Sequence, residues 1–261
     1  MDPLAPFDVL IAAVDGRIDV PDTWQQGRGA FGGYVTAAIA RALEHAVPER
    51  PLRSLTAELC GPLQPGEARL EIETLRAGNA VTTSTIRVVQ AGEVQAHGVG
   101  VLGRARVEDR DGVANDAPVM RPWREVEVAP IAPPLGPAFA THFEFRVTGA
   151  LPFSGDARAT VEGWVRPLRP GTRRDAAFLA ACIDAYWPAV FSRETAPRPM
   201  ATIAFTFQPF VRALDGAGDA PLYYRAQFVA ADGGYCVEFR ELWTESGRLA
   251  ALNQQTFVII K

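Results

Sequence analysis

The chain has 261 residues, a formal net charge of −4, 48% hydrophobic and 21% charged side chains, the balance of a folded globular protein. With no basic block, nucleic acid is argued against as the main partner. With no apolar run near the ~20 residues of a membrane-spanning helix, so is a membrane span.

The first residues, 1–9, carry Asp2, Asp8 and two prolines and no basic stretch leading an apolar one, so they do not read as a secretory signal. Next comes the glycine-rich run GRGAFGGYV over 27–35, opening a helix expected over 34–43. Strands are expected at 54–63, 68–76, 80–90 and 93–103, with a glycine-containing turn at Ala77-Gly78-Asn79 joining the second and third. A stretch over 107–137, rich in Pro, Asp and Ala without steady period, reads as a connector. Two more strands are expected near 142–147 and 160–166, and a second helix over 176–191. Four strands follow at 201–212, 221–230, 235–244 and 248–260, with the matching turn at Asp232-Gly233-Gly234.

The second half thus repeats the first: one helix, then a run of antiparallel strands. Pro62-Leu63 echoes Pro209-Phe210, and the turn at Ala91-Gly92 echoes Ser246-Gly247. The layout is α+β, without the βα alternation of a parallel sheet. Both helices are nearly free of charge, the first carrying Arg41 and the second Asp184, so both are expected to be buried. A carboxylate on a buried helix is costly unless paired or hydrogen-bonded. Asp184 therefore lies on the one wet stripe of its helix, caps something local, or does chemistry there.

The ordered set Gly32-Gly33 at the helix start, Pro65-Gly66 before the second strand and Thr74-Leu75-Arg76-Ala77-Gly78-Asn79 resembles the N-terminal half of type II acyl-CoA thioesterases. The resemblance resumes after the connector. It implies a double hotdog, two units that each wrap an antiparallel sheet around a central helix, divided as 1–106, a connector 107–137, and 138–261. It implies hydrolysis of an acyl-CoA by an Asp, Thr and Gln of the second half that activate water. The matching positions are Asp184 on the central helix, Thr202 within Ala201-Thr202-Ile203, and Gln255 in the last strand. Gln254 is the neighbour that a one-residue slip would select, since alternation puts only one of the two on the site face. No cofactor is implied, and a homodimer at least is.

Pairing the halves without gaps sets Ala40 against Asp184, Leu55 against Thr202 and Gly100 against Gln255, so one competent centre per chain is expected. In that chemistry Asp184 is base or water anchor, and Thr202 and Gln255 fix the water. Backbone N–H groups at Gly32 and Gly33 would stabilise the carbonyl oxygen, although close helix–sheet packing accounts for these glycines equally well.

Rival motifs fare worse. Gly27 to Gly32 spells G-x-G-x-x-G, but no buried strand precedes it and antiparallel patterning follows. No G-x-S-x-G elbow occurs. Cys182 points to another side of the helix from Asp184 and reads as core. Phe205, Phe207, Trp187 and Phe191 read as core, some as tunnel lining. The three cysteines, Cys60, Cys182 and Cys236, are far apart, as reduced cytoplasmic thiols would be. His45, His97 and His142 show no metal spacing. A protein that binds a thioester without hydrolysing it stays open as the alternative.

Overall fold

Each half supplies one apolar helix and a set of strands, and in the computed structural model these close into one curved sheet around two central helices. The structure describes residues 5–107, 112, 116–214 and 218–260; residues 1–4 of the N-terminal stretch and 108–111 and 113–115 of the connector lie outside the described residues. The first half runs α1 (Phe7–Leu10), β1 (Arg17–Val20), a short hairpin β2 (Gln25–Gln26) and β3 (Gly29–Ala30), α2 (Gly32–Ala46), β4 (Leu52–Leu59), β5 (Gly66–Ala77), β6 (Val81–Gln90) and β7 (Glu93–Gly103). The second runs β8 (Phe143–Val147), β9 (Thr160–Pro167), α3 (Ala176–Asp184), α4 (Val190–Arg193), β10 (Met200–Pro209), β11 (Leu222–Asp232), β12 (Tyr235–Trp243) and β13 (Leu249–Ile259).

Eleven of these strands form one sheet in the order β1-β5-β6-β7-β4-β10-β13-β12-β11-β9-β8. Every pairing in it is antiparallel. The halves meet at β4 and β10, where Thr56 faces Thr206. The double hotdog of two tandem units is thus present. The turn between β11 and β12 needs two consecutive positive φ values, +57° at Gly233 and +90° at Gly234, which is why two glycines stand there.

Both central helices are buried. From Gly33 to Leu43 every residue of α2 is buried, and so are all nine residues of α3. The small side chains Ala37, Ala38, Ala180 and Ala181, each 0% exposed, let the sheet close on the pair. Arg41 is buried too, and its Nη2 lies 2.8 Å from Asp175, whose own carboxylate caps α3 by accepting from the N–H of Phe178.

The second helix is shorter than the expected 176–191. It stops at Asp184, and one separate turn follows at Val190–Arg193. Pro188 accounts for the break, because it has no N–H to give the carbonyl of Asp184 four residues back and its ring would clash there. The functional candidate thus ends its helix instead of sitting within it.

The connector is not a free tether. The guanidinium groups of Arg146 and Arg166 lie 4.0 and 4.5 Å from the ring of Trp123, and the indole N–H of Trp164 donates to the carbonyl of Arg121.

The ladders correct the gap-free comparison of the halves. Gly100 faces Leu55 and Leu52 faces Leu102, whereas Gln255 faces Phe205 and Thr202 faces Phe257. Matching Gly100 to Gln255 therefore makes Leu52, not Leu55, the counterpart of Thr202. The same one-residue irregularity, between Leu52 and Ser54 and between Thr202 and Ala204, offsets both strands.

Candidate active site

Asp184 leaves the end of α3 at 7% exposure and points at the start of α2. A Cβ on Gly32 would stand 2.8 Å from Asp184 Oδ2, and one on Gly33 would stand 3.0 Å from Asp184 Cβ and closer still to the Phe31 ring. Both positions are glycine because helix and carboxylate pack this closely. The N–H of Gly33 also donates to the Asp184 carboxylate. The glycine pair is packed against Asp184 and Phe31, and the amide of Gly33 is hydrogen-bonded to Asp184.

β13 brings Gln255 to the same carboxylate. Its Nε2 donates to Asp184 Oδ1 over 2.7 Å, and its Oε1 accepts from Thr202 Oγ1 over 3.1 Å. Gln255 is fully buried while Gln254 is exposed, as strand alternation requires of neighbours, so the amide inside is that of Gln255. Thr202 is partly exposed, next to the irregularity in β10. The three residues picked out in the sequence form one continuous hydrogen-bonded chain: hydroxyl to amide oxygen, amide nitrogen to carboxylate.

Two residues that sequence reasoning missed complete the cluster. Arg240 on β12, 1% exposed, donates from Nη1 to Asp184 Oδ1 over 2.8 Å and to the carbonyl of Ile183 over 3.1 Å. Its Nε donates to Glu238 Oε1 over 2.6 Å, and Glu238 Oε2 accepts from the N–H of Ala189 over 2.7 Å. The guanidinium thus closes the carboxyl end of α3, where the helix dipole favours a cation. Two buried carboxylates share one cation. Burial pushes the Asp184 carboxyl above the usual aspartate range, opposed by Arg240, Gln255 and the Gly33 N–H. Burial raises Glu238 likewise.

A cavity of about 330 Å³ is lined by Met200, Cys236, Val190 and Ile259 together with the charged Arg193, Glu194, Arg198 and Asp232, and no residue of the cluster itself lines it. Met200 lies two residues before Thr202 on β10, and Cys236 two residues before Glu238 on β12. Cys182 is inert core, its thiol pushed up to about 12 by burial. Phe205 and Phe207 are core as well. Among the described residues no group of three or more His, Cys, Asp or Glu is placed to hold a metal ion, and no helix is long and apolar enough to cross a membrane.

Comparison with known proteins then decides the family. The model described as the acyl-CoA thioesterase N-terminal domain matches residues 20–103, and the one described as the acyl-CoA thioesterase C-terminal domain matches residues 114–259. The chain belongs to the acyl-CoA thioesterase family. Among solved structures, a hot dog fold protein of unknown function from Alicyclobacillus acidocaldarius is 25% identical, with TM-score 0.86 and 98% of each chain covered. A candidate thioesterase II from Thermobifida fusca YX is 20% identical, with TM-score 0.84 and 100% of each chain covered. The tesB protein of Mycobacterium avium subs paratuberculosis is 14% identical, with TM-score 0.76 and 98% of each chain covered. The last two likenesses speak for the fold alone. No curated protein matches this chain. The acyl-CoA thioesterase fold is therefore spread over the whole chain, with its polar cluster in the C-terminal unit.

Proposed function

We propose that this thioesterase hydrolyses a fatty or related acyl-CoA to the free acid and CoA at Asp184, Thr202 and Gln255. The observation that carries the reading is the chain from Thr202 through Gln255 to Asp184, which ends on a carboxyl whose affinity for protons is raised. A carboxylate of raised pKa is a better base near neutral pH than an ordinary one. Water held by Thr202 and Gln255 gives its proton to Asp184 while its oxygen bonds to the thioester carbon. The C–S bond then breaks, and the proton goes to the departing thiolate. Gly32 and Gly33 would lie beside the carbonyl oxygen. If the N–H of Gly33 turns from Asp184 to that oxygen, the same exchange releases the carboxylate to act as base.

Arg240 is a positioning residue in this scheme, holding Asp184 against the start of α2. The acyl chain is assigned to the apolar side of the cavity formed by Val190, Met200, Phe228 and Ile259, with Arg193, Glu194, Arg198 and Asp232 lining the rest. A homodimer at least is proposed for the assembly, supported by Phe239 and Val229, each about half exposed on the outer sheet face. Three free cysteines support a cytoplasmic setting.

Thiol release from medium-chain acyl-CoAs tests the reading. Asp184→Asn should keep the fold by circular dichroism and slow hydrolysis by about 10²-fold or more. Full activity in that variant removes Asp184 from the mechanism. A folded wild type that binds every thioester offered and hydrolyses none favours the non-hydrolytic binding protein.

A further inference from the structure

The first half keeps an opening where the second half keeps its chemistry. A cleft of about 650 Å³ lies at the Arg41 end of α2, with Leu52, the counterpart of Thr202, in its wall. Its floor cannot activate water. The Cβ that Gly100 lacks would meet Leu43 Cδ1 at 2.6 Å and Leu52 Cδ1 at 3.3 Å, so those two leucines fill the place that Gln255 occupies in the other half.

What surrounds the floor is strongly cationic. Six arginines line the cleft, Arg41, Arg50, Arg53, Arg104, Arg173 and Arg212, against the three carboxylates of Glu44, Glu49 and Asp175. Arg104 pairs with Glu49, and Arg41 with Asp175. Glu44 accepts from the N–H of Leu52 over 2.9 Å, and its nearest charged neighbours include Arg41, Arg173 and Asp175. Arg50 donates to neutral oxygens of Thr82 and Asn79, and Arg53 to the carbonyl of Gly103, so neither charge is matched by a carboxylate. Arg41 is nine-tenths buried, yet its Nε has no hydrogen-bond partner.

We propose that this cleft is a second, non-hydrolytic binding site that takes a phosphate ester of nucleotide size. Two guanidinium groups not matched by carboxylates, Arg50 and Arg53, call for an anion of two charges, and guanidinium groups match phosphate oxygens in pairs. The volume is that of a small-molecule site, and Pro48, Pro51 and Val211 give the organic body an apolar wall. The site is separate from Asp184. Asp175 and Asp184 stand at opposite ends of α3, roughly 13 Å apart at 1.5 Å per residue, with only buried core between them.

The test uses the full chain, adenosine 3′,5′-bisphosphate and orthophosphate, read by isothermal titration calorimetry. One saturable nucleotide site is expected. Arg53→Gln and Arg173→Gln, both at exposed positions that should leave the fold intact, should each weaken it about tenfold or more, the worth of one charge-assisted contact. Asp184→Asn should bind as wild type does, and orthophosphate should compete more weakly. No saturable binding, or unchanged affinity in both arginine variants, overturns the site. Orthophosphate binding as tightly as the nucleotide overturns the nucleotide-sized ligand. A KM for acyl-CoA that rises in step with the lost nucleotide affinity would make the cleft the seat of the substrate's own nucleotide and overturn a second site. Because nucleotide binding is read without turnover, its result stands apart from whether the protein hydrolyses thioesters.

Discussion

Asp184 has no ionic partner on its own helix; the cation comes from β12, across the core. Removing one member of a buried pair leaves the other charge uncompensated, typically at a cost of about 3–5 kcal/mol. Arg240→Met should therefore lower stability by about that much in urea unfolding at pH 7. The deficit should shrink in acid, where Asp184 and Glu238 take up protons. Gly32→Ala tests the close approach of helix and carboxylate, since its Cβ would lie 2.8 Å from Asp184 Oδ2. It should slow hydrolysis about tenfold or more in wild type and have little further effect in Asp184→Asn, because the two changes act on one group. The pH–rate profile follows from the same carboxyl. Protonated Asp184 cannot accept a proton, and burial raises its pKa. Activity should then be present at neutral pH and fall, as pH drops, at an apparent pKa above the ordinary aspartate value of about 3.9. An acid limb at or below that value would count against Asp184 as base.

At the scale of single elements, the strands β4 to β13 are legible, whereas β1, the β2–β3 hairpin and the end of one helix are not. The run 235–244 was identified as a strand, yet its faces are the reverse of what hydrophobic alternation suggests: Phe239 is 52% exposed and Arg240 1%. A charged pair two residues apart in a strand looks like a solvent face, so nothing in the sequence marked Glu238 and Arg240 as buried. Asp184 is legible as the one charge on its helix, whereas Thr202 and Gln255 follow from the resemblance to type II acyl-CoA thioesterases. The second helix ends early because Pro188 outweighs the apolar content of 185–191. Strand β8 carries a different kind of charge. Burial would raise the Glu144 carboxyl, but hydrogen bonds from Arg146 and Arg166 outweigh it and hold the group below its ordinary value of 4.5. A lowered carboxyl contributes stability that is present above its unfolded pKa and lost as pH falls through the folded one. Glu144→Gln should thus lower stability at neutral pH and lose less further stability than wild type on acidification below 4.5, measured as Tm against pH.

Over the whole molecule the polar cluster of the second half has no counterpart in the first. By ladder register the counterparts of Thr202, Glu238, Arg240 and Gln255 are Leu52, Ser84, Ile86 and Gly100. Ala40→Asp should accordingly create no second activity, and the double variant Ala40→Asp, Asp184→Asn should be as slow as Asp184→Asn alone. The seam has a consequence for how the chain is made. Thr56 and Thr206 are counterparts that face each other, so β4 and β10 pair across a near-twofold axis. The edge of β4 is thus close to self-complementary. While a ribosome is still building the second half, the finished first half presents a naked strand that fits another copy of itself as well as its own missing partner. Residues 1–106 produced alone should therefore run as a dimer or larger species in light scattering. In the cell, slow synthesis or a premature stop would make the nascent chain an aggregation risk until β10 emerges to cover it.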